Sequence, residues 1–443
     1  MAERVVNVPA HNDVVDLCAR LVRFDTTNHG NGDSAGERDA AEFVAQVLSD
    51  AGVESTIYES APGRANVIAR LSGRDPSLPA LLVQGHLDVV PAAAADWTVP
   101  PFSGEIRDGY LWGRGAVDMK DFCAMVLSAV RSMAASGRKP RRDVVLAFVA
   151  DEEDRGDFGA HWLTAKHPDL FDGCAAAISE SGGYTYHVPA ADGRTVRLYP
   201  VATAERGTAH LRISATGRAG HASRRNDENA VLRLVGALHR LSEHRWPVRL
   251  TPTVTAFLER AGAALDVQID LSDVDATLAR LGPAAGLVES TVRNSTTPTV
   301  LDAGYKVNVI PSLASAQVDT RTLPGTEDDL LRELDTLLGP HVEREFLTRQ
   351  PAVEAPVDST WFSSMADALR SQDPAAVVVP YCMGGGTDAK AFSALGIDCY
   401  GFAPLWLPEG FPYRAMAHGV DERVPVEGLR FGAAVLDHFL SHC

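Results

Sequence analysis

A mostly parallel, helix-covered α/β sheet with an inserted α+β module is the expected architecture of these 443 residues. Three observations predict it. The chain exceeds the ~250–300 residues at which a single hydrophobic core stops growing, so two lobes are expected. Short, continuously apolar runs alternate with helical segments, as strands buried on both faces of a sheet do. The middle of the chain alternates polar and apolar instead, as strands with one wet face do.

Val14, Leu17, Leu21 and Phe24 recur at helical spacing and predict an N-terminal amphipathic helix. A second helix is expected over residues 34–50, stopped by Gly52 in the left-handed conformation. Apolar runs at 80–84, 144–149, 175–178 and 376–379 predict buried strands. Phe122, Val126, Ala129 and Met133 form one face of a helix after Asp118. Segments 210–216 (HLRISAT) and 316–322 (AQVDTRT) alternate. Helices are expected near 229–241, after Pro324-Gly325 at 328–338, and last at 425–440. The α+β insert is placed at 207–323, between two parts of the α/β lobe at 1–206 and 324–443.

The net charge of −17 argues against nucleic acid or another polyanionic partner. No stretch reaches the ~18 consecutive apolar residues of a membrane span, and the opening MAERVVNVPAHND has no apolar signal region. Six cysteines without CxxC or framework spacing suggest reduced thiols. A cytoplasmic protein is therefore expected.

Four polar clusters follow predicted strands or open a helix. They are His86-Leu-Asp88, a glycine-rich loop ending Asp118-Met-Lys120, Asp151-Glu152-Glu153, and Ser179-Glu180; a fifth candidate, His418, precedes the last helix. Ligands bind beyond the carboxyl ends of strands in open α/β sheets. Asp88 shares a strand face with His86 and could fix its tautomer, as metal-binding imidazoles require. Each piece alone has an ordinary reading, a structural His–Asp pair or a solvated helix start. Together, so many acids at adjacent strand ends would repel one another unless cations neutralised them. Imidazole and carboxylate donors suit zinc or a similar divalent ion, and a shared Asp can bridge two.

From Gly85 to Glu422 the order and spacing of these motifs resemble the dinuclear-zinc metallopeptidase family of bacterial glutamate carboxypeptidase, aminoacylase, succinyl-diaminopimelate desuccinylase and the yeast Gly-X carboxypeptidase. The resemblance implies a zinc-exopeptidase-like catalytic domain and makes the insert a lid that also dimerises. It implies two divalent metal ions per chain, Zn2+ or else Co2+ or Mn2+. His86 and Glu180 would ligate one, Glu153 and His418 the other, and Asp118 both. Glu152 would be the general base acting on a metal-bridging water, and the Asp118–Met119 peptide would be cis.

The stretch from Glu205-Arg-Gly207 to Gly217-Arg-Ala-Gly-His221 resembles the start of the family's lid, so His221 would reach into the partner's site of a homodimer and stabilise the oxyanion. Asn308 and Arg321 would clamp a substrate carboxylate, an internal ion pair of Arg321 with Asp319 being the alternative. Backbone N–H groups of the loop holding Gly385, Gly386 and Thr387 would hold an anion. Glu at position 180 and the long lid favour substrates with a free carboxylate, either short peptides or N-acyl amino acids. A specialised amidase acting on one metabolite intermediate, or running condensation in reverse, is the alternative. A non-catalytic binding scaffold is the remote one.

Overall fold

A computed structural model describes residues 11–443; most of the stretch read above for a signal segment lies outside them. The core is a ten-stranded mixed sheet. At its centre Ala80–His86 runs parallel to both Val144–Val149 and Cys174–Ser179, and Asp398–Gly401 extends the parallel set beside the latter. Both central strands are buried along their whole length, as continuous apolarity requires. Burying each Leu or Val side chain there contributes about 1.5–3 kcal/mol. Helices Asp13–Val22, Lys120–Ala135 and Val426–His442 cover one face, where Leu17, Phe122, Leu436 and Phe439 join the main core.

The helix expected over 34–50 begins only at Arg38. Gly36 sits at φ +87° with the Gly63 carbonyl where its side chain would be, and Ser34 pairs as a strand with Asn28. Gly52 at φ +72° terminates the helix as predicted.

The lid is a four-stranded antiparallel sheet ordered Ser295–Ala303, Leu313–Thr322, Gly207–Thr216, Val342–Gln350. Helices Ala230–Glu243 and Glu327–Leu338 cover it through Leu234, Leu330 and Leu334, packed on Leu211 and Ile213. Two corrections to the expected boundaries follow. The lid does not end at 323, because Val342–Gln350 pairs along Gly207–Thr216; the chain rejoins the catalytic sheet at Val353–Glu354. The insert is also not wholly lid. Helix Pro252–Leu265 and the segment to Val292 pack through Phe257, Leu258 and Leu287 on Leu198, Ala202 and Val379 of the catalytic sheet. Apolarity alone could not reveal which sheet a helix would cover.

Among the described residues no helix is long and apolar enough to cross a membrane, and all six cysteines are free. Cys123 is buried, its thiol donating to the His86 carbonyl at 3.4 Å.

Candidate metal centre

The central strands deliver the site. His86 ends Ala80–His86, Glu152 and Glu153 follow Val144–Val149, and Glu180 follows Cys174–Ser179. Asp118 arrives on the loop before helix Lys120–Ala135, its peptide bond to Met119 cis. His418 comes from the loop before the last helix. The Asp118 carboxylate lies between two imidazoles: Oδ1 is 3.2 Å from His86 Nε2 and Oδ2 is 3.3 Å from His418 Nε2. Glu180 Oε1 stands 3.9 Å from His86 Nε2, and Glu153 Oε2 3.0 Å from His418 Nε2. Ligand atoms of His86, Asp118 and Glu180 lie within 4.8 Å of one another, as do those of Asp118, Glu153 and His418. The five expected ligands thus form two groups that share Asp118.

Adjacent glutamates reach different places because the loop between them and the strand is bent. Asp151, Ser181 and His418 take left-handed φ values of 69°, 70° and 59°, each costing about 1–3 kcal/mol unless the surroundings enforce it. Asp151 is enforced by Arg64 at 2.8 Å, Asn28 at 3.0 Å and the Phe158 N–H at 3.1 Å. Glu153 then faces His418, while Glu152 Oε2 lies 3.9 Å from His86 Nε2 and belongs to neither group.

Asp88 holds the site differently from expectation. The His86 Nδ1–H meets the backbone carbonyl of Asp88 at 3.0 Å, the carboxylate being farther at 3.5 Å. That contact still leaves Nε2 as the lone-pair nitrogen facing Asp118. The carboxylate instead accepts the backbone N–H groups of Glu152 and Glu153, both at 3.1 Å, and the Asn28 amide at 2.9 Å.

The electrostatics fit cations. Burial, then the neighbouring acids, push the carboxyls of Glu152 and Glu180 well above the usual range. Burial also raises Glu153, whose Oε1 has no hydrogen-bond partner. Asp118 moves down: burial opposes it, but both imidazoles favour its anion. His418 is raised to about 10 by Asp118 and Glu153. Buried acids that repel one another and carry an orphaned oxygen suit two divalent ions.

The lid residues stand apart from this cluster. His221 is exposed in the short pairing Gly220–His221 with Val309–Ile310, and the Ala222 N–H donates to the Asn308 carbonyl at 3.1 Å. The Ser223 N–H donates to His221 Nδ1 at 3.2 Å, which places the neutral ring's proton on Nε2. Asn308 is exposed. Arg321 makes the internal ion pair, Nε to Asp319 Oδ1 at 2.7 Å and Nη2 to Oδ2 at 3.1 Å, with Nη1 donating to Thr208 at 3.1 Å. Thr387 commits both donors to Glu205, unlike the free anion-binding loop residue expected, whereas Gly385 and Gly386 carry no such tie.

Sequence reasoning missed Asn28 and the buried Arg64–Glu37 pair, which carry no motif of their own. It missed Gln84, which links Ser179 to Asp388 beneath the glycine loop. It also missed a cavity of about 220 Å³ beside Asp118 and Glu180, lined by Tyr184, Leu287, Tyr381, Met383 and Tyr413. Those aromatics are scattered over more than 200 positions.

The model of peptidase family M20/M25/M40 matches residues 82–442. The chain belongs to this family. It is an M20 metallohydrolase, and its fold is shared by Bacillus subtilis YXEP, a dinuclear metal binding peptidase of the M20 family. The chain is 29% identical over 380 residues to a probable carboxypeptidase S-like 2 of Dictyostelium discoideum, spanning 82% of this chain and 73% of that protein. It is also 29% identical over 373 residues to the human N-fatty-acyl-amino acid synthase/hydrolase PM20D1, spanning 81% and 72% respectively. The M20 metallo-carboxypeptidase Sso-CP2 of Sulfolobus solfataricus superposes with a TM-score of 0.70 at 16% identity, covering 97% of this chain and 99% of that one. That likeness establishes the catalytic-plus-lid fold. Membership as a metallohydrolase sets aside the scaffold reading.

Proposed function

We propose that this M20 protein is a two-metal amidohydrolase cleaving the amide bond of short peptides or N-acyl amino acids that bear a free carboxylate. The observation that carries this reading is the pair of ligand groups sharing Asp118, with Glu152 beside them and in neither. His86, Asp118 and Glu180 would hold one ion, and Asp118, Glu153 and His418 the other. Zinc suits the donor set, and cobalt or manganese is tolerated by it. Ions bound there supply polarisation of the amide carbonyl and acidification of the attacking water.

The chain's own residues do the rest. Glu152 takes the water's proton and passes it to the leaving nitrogen, a shuttle that a non-ligating carboxylate must perform. Asp88 sets both glutamates through their backbone N–H groups. The cavity lined by Leu287 and the tyrosines receives the acyl group or side chain on the other side of the scissile bond. His221 is exposed on the lid and belongs to neither ligand group, and its Nε2–H is suited to an oxyanion in a second copy. A homodimer through the lid is supported by the edge strand Ser295–Ala303, which leaves Leu301 62% exposed. Free cysteines throughout fit a cytoplasmic location.

The relatives named above include a carboxypeptidase and an N-fatty-acyl-amino acid synthase/hydrolase, and the proposed substrate covers both. The word synthase in the human relative's name is the one observation that favours the second reading, a specialised amidase on one metabolite intermediate or the reverse condensation. A panel of dipeptides and N-acyl amino acids, each paired with its C-terminal amide, separates the readings by mass spectrometry with zinc, cobalt or manganese. Cleavage confined to free acids is expected. Equal cleavage of the amides would leave the specialised amidase standing.

A further inference from the structure

The general base of the proposed reaction is aimed by its backbone rather than by a side-chain partner of its own. Among the described residues no hydrogen bond holds the Glu152 carboxylate, and it belongs to neither ligand group. Glu153, by contrast, stands 3.0 Å from His418 Nε2 inside one of them.

The backbone is bent at Asp151, a buried residue whose φ of 69° lies in the left-handed region. The neighbouring strand Arg64–Leu71 grips the turn that carries both glutamates. Asn66 accepts the Ala150 N–H at 2.9 Å and donates to the Phe158 carbonyl at 3.0 Å, which fixes the two ends of the turn. Arg64 holds the bend between them, its Nη2 donating to Asp151 Oδ1 at 2.8 Å. The guanidinium is itself fixed by Glu37, with Nε to Oε2 at 3.0 Å and Nη2 to Oε1 at 2.9 Å, and it lies 4.9 Å from the centre of the Phe158 ring. Asn28 joins Asp151 to Asp88, and Asp88 receives the Glu152 N–H. A continuous run of contacts therefore leads from Glu37 through Arg64 to the backbone of the base.

Stability alone does not call for this arrangement. Glu37 and Arg64 are both buried, and a well-packed apolar pair of the same shape is often no less stable than a buried ion pair. Arg64 Nη1 has no partner among the described residues, a cost of its own. An orphaned donor beside a left-handed aspartate, directly beneath the catalytic loop, points to a task at that loop. Glu37 and Arg64 also precede residue 82, where the match to the family model begins.

We infer that Arg64, anchored by Glu37, is a positioning residue for the general base: by holding Asp151 in its left-handed bend it keeps Glu152 aimed at the reacting centre. This rests on Glu152 as the base of the proposed function. Arg64 touches neither ligand group, so its effect falls on proton transfer and not on the ions.

The test is a double-mutant cycle in the full-length protein, with N-acetyl-L-leucine and L-alanyl-L-leucine as probes at saturating zinc. It compares Arg64→Met, Glu152→Gln and the two combined. A parallel cycle starts from Glu37→Gln/Arg64→Met, which removes the buried carboxylate that Arg64→Met leaves unpaired, so a folding failure of the single variant does not decide the outcome. Misplacement of a catalytic group by ~1 Å corresponds to a loss of about 10- to 100-fold. Arg64→Met is expected to lower kcat by that factor, with KM and zinc stoichiometry unchanged, and to cost nothing further once residue 152 is Gln. Arg64→Lys should restore part of kcat. Losses that multiply in the combined variant, or zinc binding that falls along with kcat, would make Arg64 a support of the fold or of the ions. Either result overturns the inference while the hydrolase reading stands. A Glu152→Gln protein as active as wild type, or a wild type that cleaves neither probe, overturns the proposed reaction and this inference with it.

Discussion

Glu205 and Thr387 are joined twice: the Thr387 N–H donates to one carboxylate oxygen at 3.0 Å and its hydroxyl to the other at 2.6 Å. Glu205 ends the catalytic strand that leads into the lid, and Thr387 closes the glycine loop. Lid root and substrate loop therefore form one unit. Thr387→Val removes the hydroxyl donor and leaves a buried carboxylate oxygen unmet, a loss of about 1–3 kcal/mol. Steady-state kinetics should show KM for free-acid substrates rising about tenfold, in keeping with that loss, with metal content unaltered. An unchanged KM would uncouple the loop from the lid root.

Asp88 offers a second prediction. Its carboxylate accepts from Glu152, Glu153 and Asn28 at once. Asn at this position has one acceptor oxygen and presents an N–H group to a donor. Asp88→Asn should therefore lower metal affinity by about 10- to 100-fold and cut turnover as well, read by metal titration and by kinetics at saturating metal. Wild-type affinity in this variant would mean that the Glu152–Glu153 loop needs no such anchor.

Asp437 on the last helix accepts from Ser132 of helix Lys120–Ala135 at 3.1 Å and from Arg138 in the loop after it at 2.7 Å, with His11 Nε2 of the N-terminal segment at 3.5 Å. Burial opposes its charge, yet these partners hold its carboxyl well below the usual range. Because the folded pKa lies below the unfolded one, the stabilisation is complete above the unfolded pKa of about 4 and is lost as pH falls toward the folded value. Asp437→Asn should cost about 2 kcal/mol at neutral pH, and its gap to wild type should shrink below pH ~4. Urea midpoints at the two pH values check this. A gap constant with pH would contradict it.

His221 tests the dimer. His221→Ala should lower turnover with metal content intact, and mixing it with Glu152→Gln protomers should restore activity. Each hybrid assembles one complete site, so random exchange returns about a quarter of wild-type activity. Absent rescue despite confirmed subunit exchange would confine His221 to its own chain.

The central strands were legible because each is buried on both faces, so continuous apolarity at 80–84 and 144–149 could mean little else. The candidate ligands His86, Glu153 and Glu180 were legible because they stand at or just beyond the ends of Ala80–His86, Val144–Val149 and Cys174–Ser179. What escaped the sequence depends on contacts between distant segments. Helix Pro252–Leu265 has an apolar face that two different sheets could have accepted. Asn28 reaches Asp88 and Asp151 across 60 and 123 positions. Arg321 carries the same chemistry whether it meets a substrate or Asp319, and only the fold shows the ion pair.

The central claim is that two ions share Asp118, and metal titration of apo-protein measures this most directly. Wild-type protein should bind two divalent ions per chain, and Asp118→Asn, which weakens both groups at once, should lose both together. One ion per chain in the wild type, or an Asp118→Asn protein that still binds two, would contradict the account.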